Sequence, residues 1–313
     1  MEEDHLSSKE KPSLSFSDER VVKTSLVVDI IDILINGFAM LITGSVVMLA
    51  ETFQGFSDLI VDCLVYIGMK RSKRLPTNKH PFGFGREIYV WSLFSAIIMF
   101  LVLASFSFYF GLRRFINPEK IEFIFLAYFI LIISIITNGY SFSLALRRIL
   151  AGRSILKIKK IFSQSTFLET KITFVSDLVG VLAAVLGLIA LILFQTTNNL
   201  WFDGLGAIAV GLLMATFSIW LLKNIKDFIV GVSAPDETKK EIRRTALEVD
   251  GVEGVLDLKA IVIGSNRLLV NIEIHAQSGL VTKEIEKLID LIKDRIKEKI
   301  PSVYHIQVEL ETP

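Results

Sequence analysis

Six stretches of the chain, 22–43, 46–69, 88–113, 121–148, 168–194 and 201–225, are apolar and long. Each reaches the roughly 20 residues that a helix needs to cross a bilayer. A hydrocarbon core offers backbone N–H and C=O groups no water, so spans of this kind must be helices that satisfy their own hydrogen bonds. That feature commits most of the chain to an α-helical membrane domain. The composition agrees: 52% of the 313 residues are hydrophobic and 23 are phenylalanine.

The first two spans are joined only by "ITGS", which predicts a tight antiparallel pair. Basic residues favour alternate loops: "KRSKR" and Lys79 follow the second span, "RRILAGRSILKIKK" the fourth and "KNIK" the sixth. The opposite loops hold little beyond Arg113, Arg114 and Lys120. By the positive-inside rule both termini face the cytoplasm, as an even number of spans requires; the plasma membrane is the expected location. Residues 1–20 are polar and acidic without the order of a cleaved signal, and read as a disordered cytoplasmic tail ahead of a transmembrane domain over 21–230.

From about residue 233 the pattern becomes water-soluble. "PDETKKEIRRTALEVDGV" has a helical period, "LDLKAIVIGSNRLLVNIEIHAQ" reads as two strands around a Gly-Ser-Asn turn, "TKEIEKLIDLIKDRIKEKI" is an amphipathic helix and "YHIQVELE" a last strand. The α-β-β-α-β order over 233–313 predicts a small cytoplasmic α+β domain of ferredoxin-like type. A unit of that size buries limited apolar surface, so pairing with a second copy, a homodimer, is expected.

Several classes are disfavoured. Net charge is +1, with no basic stripe interleaved with aromatics, so no nucleic-acid partner is expected. The single cysteine, Cys63, lies in an apolar segment and cannot form an intrachain disulfide. No Gly-rich phosphate loop, nucleophile elbow or HExxH motif is present. Neither an enzyme nor a bound cofactor is expected.

The second span carries charges at membrane depth. In "LAETFQGFSDLIVDCL", residues 49–64, Glu51, Gln54, Asp58 and Asp62 recur at helical spacing. Ionised groups in a membrane are costly and usually functional. The fifth span repeats the device in "FLETKITFVSDLVG", where Glu169, Thr173 and Asp177 recur every fourth residue along one stripe. Two such stripes facing each other would enclose Gln54, Asp58, Thr173 and Asp177 as oxygen donors, with the aspartates neutralising a divalent cation; Glu51 and Glu169 either join that site or flank it. The competing structural reading makes Gln54 and Thr173 interhelical hydrogen-bonding residues and gives each aspartate a basic partner. Neither segment shows a basic residue at comparable depth. Asp29, Asp32 and Asn36 on the first span either line the same pathway or sit at the cytoplasmic interface.

These residues resemble the cation diffusion facilitators. "GSVVMLAETFQGFSD" is similar to that family's second-helix pattern, "HPFGFGRE" to the loop that follows it, and Asp203 at the start of the sixth span and the C-terminal sandwich match as well. The resemblance implies a homodimeric secondary transporter that exports a divalent cation (the Zn²⁺, Mn²⁺, Fe²⁺, Co²⁺ class, or Mg²⁺) from a site between the second and fifth helices. It also implies alternating access and exchange for protons. The chain departs from the family where His is usual: Gln54 and Thr173 leave the site without imidazole, and Phe84 replaces the second loop His, leaving His80 as a candidate loop ligand. Oxygen-only surroundings suit harder ions than zinc. In the cytoplasmic domain Glu273, His275, Glu309 and Glu311, with His305 nearby, are candidates for a weak regulatory metal site or simply solvated charge. The alternative to transport is a dimerisation partner or metal-responsive scaffold, which the missing histidines favour and the retained aspartates oppose.

Overall fold

The computed structural model describes residues 17–150 and 168–312. Most of the expected tail and most of the loop after the fourth span fall outside these residues. Six long helices form the first part of the chain: α1 (Ser17–Thr43), α2 (Val46–Ser72), α3 (Glu87–Ile116), α4 (Ile124–Leu150), α5 (Leu168–Thr197) and α6 (Trp201–Val230). Among the described residues, α3 to α6 contain windows long and apolar enough to cross a membrane. The remaining two, α1 and α2, carry Asp29, Asp32, Glu51, Asp58 and Asp62.

α2 is central, touching α1, α3, α5 and α6, while α4 packs on α5 and α1. Small residues let the helices approach closely, as membrane bundles require where no hydrophobic effect drives helix association. A Cβ on Gly111 of α3 would stand 2.7 Å from the Ile208 backbone nitrogen of α6, and one on Gly204 would stand 2.6 Å from that of Phe115. The outward faces keep large apolar side chains such as Phe94, Leu101, Phe125 and Phe129 exposed, as lipid-facing positions do.

The soluble domain comprises α7 (Asp236–Leu247), β1 (Val252–Gly264), β2 (Arg267–Ala276), α8 (Thr282–Lys299) and β3 (Val303–Leu310). β1 and β2 are antiparallel, β2 and β3 parallel, giving the order β1-β2-β3. The hairpin turn expected at Gly-Ser-Asn closes at the Gly264–Arg267 pair, and Asn266 takes φ +51, a left-handed conformation that Asn tolerates. Alternate residues Leu268, Val270, Ile272 and Ile274 are buried on the face covered by helices, where α8 contributes Leu288, Ile292 and Ile296 at a four-residue spacing.

Two contacts tie this domain to the membrane part. The α6–α7 linker runs along β1, with Val262 N–H donating to Val232 O at 2.9 Å and Ala234 N–H to Ala260 O at 2.8 Å. The loop between α2 and α3 meets the tip of β1 backbone to backbone. A Cβ on Gly85 would stand 2.5 Å from the Ile263 carbonyl oxygen, so this seam requires glycine.

Candidate functional site

The helical spacing read from the sequence places Glu51, Gln54 and Asp58 on one side of α2, and the fold turns that side toward α5. A Cβ on Gly187 of α5 would lie 3.6 Å from Glu51 Oε1. Glu51 and Gln54 are buried, and the Oε1 atom of each has no hydrogen-bond partner among the described residues. Asp58 Oδ1 accepts from Gln54 Nε2 at 3.0 Å and from Ser176 Oγ at 2.6 Å. Ser176 escaped the sequence reading because it is off the Glu169–Thr173–Asp177 stripe, yet it hydrogen-bonds Asp58 from α5. Thr173 and Asp177 are half-buried on the adjoining turn, with Asp177 next to Ser176 in sequence. The side chain of Glu169 lies outside those described.

α1 and α4 extend this seam. Asp32 Oδ1 accepts from Ser134 Oγ of α4 at 3.2 Å, and the Asn36 amide donates to the Asp32 carbonyl at 3.0 Å and to Ser134 Oγ at 3.5 Å. Asn138, one turn along α4, abuts α5 where a Cβ on Gly180 would stand 3.1 Å from its Cγ. Asp29 lies within electrostatic reach of Asp58, Asp62, Asp177 and Asp32, and its Oδ2 has no partner among the described residues. Asp29 and Asp32 therefore face the α2–α5 seam. One expectation needs correction: Lys171, six residues before Asp177, is buried, with Nζ 5.3 Å from the Phe228 ring centre. A basic group does enter α5 near the acidic stripe.

At the end of the bundle away from the soluble domain, Asp203 of α6 is fully buried. It accepts from Ser45 Oγ at 2.7 Å, from the Val46 and Val47 backbone N–H groups at 3.0 Å each, and from Arg114 Nε at 3.0 Å. The carboxylate thus caps α2 from another helix, satisfying amides that a helix start leaves free. Arg114, read from the sequence as a loop charge, is buried; its guanidinium also donates to the Gly44 carbonyl and to Glu119.

Among the described residues no group of three or more His, Cys, Asp or Glu side chains is close enough to hold a metal ion. The cytoplasmic candidates have other contacts. Glu273 lies 3.9 Å from Lys259 Nζ and opposite Glu309 across the strands, while Glu309 accepts from the Gln307 amide at 2.8 Å. His275 Nε2 is 3.3 Å from Glu253, and its Nδ1 is 3.3 Å from the Glu311 carbonyl oxygen. His80 is exposed in the α2–α3 loop, its ring 4.5 Å from that of Phe84, and His305 packs on Phe82 at 5.5 Å.

Among the described residues, six long helices, four of them apolar and long enough to cross a membrane, a carboxylate-rich interior seam and a small α+β domain define the class, a multi-pass membrane protein. The chain belongs to the cation efflux family. The family's transmembrane domain matches residues 22–225, and the cation efflux protein cytoplasmic domain matches 234–312. This is a family of divalent-cation transporters, not enzymes. Among relatives, the chain is 27% identical over 299 residues to the mitochondrial proton-coupled zinc antiporter SLC30A9 of Xenopus laevis, covering 92% of this chain and 53% of that one. It is 24% identical over 296 residues to the uncharacterized transporter MJ0449 of Methanocaldococcus jannaschii (92% and 99%), and 21% identical over 294 residues to the cation efflux system protein CzcD of an Alcaligenes strain (94% and 87%). The chain spans about half the length of the SLC30A9 proteins it matches. The solved nickel form of a MamM CTD variant aligns at 20% identity and TM-score 0.24, covering 25% of this chain and 98% of that one.

Proposed function

We propose that this protein is a secondary transporter that moves a divalent metal cation out of the cytoplasm in exchange for protons, as a homodimer, through alternating access. The observation that carries the reading is Asp58: a carboxylate inside a membrane helix, held by the neutral donors Gln54 and Ser176 and lying within electrostatic reach of other carboxylates. Such a cluster is costly unless a cation joins it.

Asp58 and Asp177 supply the charge that balances the ion, with Gln54 and Thr173 as neutral oxygen donors and Glu51 beside them. The Gln54 amide and the Ser176 hydroxyl both donate to Asp58 Oδ1, and the Gln54 carbonyl oxygen, without a hydrogen-bond partner among the described residues, is available as a neutral ligand. Metal and protons compete for the same carboxylates because coordination requires the deprotonated form; that competition supplies the coupling. The SLC30A9 relatives are named zinc antiporters, which supports zinc, whereas an oxygen-only donor set favours harder ions such as Mn²⁺. The basic loops read from the sequence favour a cytoplasmic location for both termini. The plasma membrane is the proposed location, although the SLC30A9 relatives are named mitochondrial; cell fractionation is the check.

The experiment is uptake of Zn²⁺, Mn²⁺, Fe²⁺, Co²⁺ and Mg²⁺ into proteoliposomes under a pH gradient, beside Asp58→Ala and Asp177→Ala. Transport of an ion by the wild type, lost in both variants, supports the reading and names the substrate. Transport that ignores pH removes the proton coupling. No transport of any ion returns the scaffold alternative.

A further inference from the structure

We propose that the crevice between the α2–α3 loop and the soluble domain's sheet holds the headgroup of an anionic phospholipid from the adjoining leaflet. The crevice has a volume of about 590 Å³, within the roughly 300–1,000 Å³ of small-molecule sites. One wall is the loop, carrying Lys79, His80 and Arg86; the other is the sheet face opposite the helices, where Ile261 pairs with Leu269 and Ile263 lies alongside. The Gly85 seam joins the two walls. The lining also reaches Val90 on α3, which is exposed; Phe94, one turn further on the same face, is exposed as well. The crevice therefore runs from a basic rim to a surface facing acyl chains.

Charge decides which amphiphile fits. Neither Lys79 nor Arg86 has a carboxylate within ion-pair distance among the described residues, and Lys70, Lys73 and Arg74 add exposed positive charge where α2 ends. The one carboxylate in the lining, Glu87, is answered by Arg71 at 3.9 Å and by the Trp91 indole N–H at 3.4 Å. A soluble anion would meet the basic rim and leave the apolar wall wet. A zwitterionic lipid would cover the wall and leave the rim without a counter-charge. An anionic phospholipid satisfies both, as basic pockets at the cytoplasmic ends of membrane helices do. It would bridge α3 and the soluble domain, so the seating of that domain would depend on leaflet charge. The inference does not depend on which ion is carried.

The test is native mass spectrometry of the full-length protein in detergent, titrated with phosphatidylglycerol or phosphatidylcholine. Wild type should retain phosphatidylglycerol selectively. The double variant Lys79→Ala/Arg86→Ala should bind it roughly 30-fold more weakly, two surface charges having been removed. A control pair on α8, Lys283→Ala/Lys287→Ala, should bind as wild type does, and excess inorganic phosphate should not displace the lipid. Should the double variant lose its fold, Val90→Asp tests the same crevice from its lipid mouth and should also reduce retention. Equal retention by wild type and the crevice variants, equal binding of the two lipids, or displacement by phosphate would each overturn the proposal. So would a disulfide forming between protomers, rather than within one, in Phe82→Cys/Leu269→Cys, since a second copy would then fill the crevice.

Discussion

Two aspartates in the membrane domain, Asp58 and Asp203, are surrounded in opposite ways. Asp203 has an arginine and three other donors around it, so its charge is balanced and its oxygens are filled. Asp58 has two neutral donors on one oxygen, and the charges acting on it most strongly are the carboxylates Asp62 and Asp32. A buried charge completed by its own protein has nothing left to bind; the half-buried Asp58, short of positive partners, is the one proposed to receive a mobile cation. The same residue type is therefore a clamp at one end of the bundle and the proposed site in the middle.

The contrast can be broken by a single kind of substitution. Asp58→Asn should reduce metal transport by at least about 100-fold, beyond the 10–100-fold typical of losing a residue that merely supports a metal ligand. Its thermal stability should be equal or higher, since a half-buried charge with no basic partner among the described residues is removed. Proteoliposome flux and a melting curve read both, and a large loss of stability would refute the distinction. Asp203→Asn should do the reverse, destabilising the protein by about 1–3 kcal/mol, since the α2 amides lose a charged acceptor and Arg114 keeps Glu119 as its carboxylate partner. Arg114→Met/Asp203→Leu should recover little of that loss, because Ser45 Oγ and the Val46 and Val47 N–H groups lose the acceptor that Asp203 supplies.

Ser176→Ala sharpens the comparison on a smaller scale. It removes one donor from Asp58 without removing a charge, so the apparent KM for metal should shift by about tenfold or less while maximal flux persists. Smallest is the surface counterpart, Glu248, whose carboxyl is held below its ordinary range chiefly by hydrogen bonding to Lys299. A depressed folded-state pKa gives stability that is present above the unfolded value, about 4.3, and lost as pH falls through the folded value. Lys299→Ala should therefore differ slightly from wild type at neutral pH and converge with it in acid, measured by urea unfolding across pH. A difference that grew on acidification would contradict the assignment.

The spans were legible because apolar length is a local property. The helices begin and end within a few residues of the stretches that hydropathy marks, and the period-two strands and the Asn266 turn appear where alternation and turn chemistry put them. The acidic stripe on α2 was equally legible from three- and four-residue spacing. That reading took Arg114 for a loop charge and found no basic residue at depth on the fifth span, where Lys171 is buried, because burial near a helix end depends on neighbouring helices that local pattern does not show.

The sequence by itself determined that this chain spans a membrane, that a small α+β domain follows, and that carboxylates recur on two faces inside the bilayer. Helical periodicity says which residues share a face and is silent on what that face meets. Only the tertiary structure decided that Ser176, 118 residues away, touches Asp58, that Asp203 caps a helix 158 residues earlier at Ser45, and that Gly85 seats the soluble domain. Each is a contact between distant segments, fixed by how closely small residues let helices and strands approach, and local pattern carries no record of that distance.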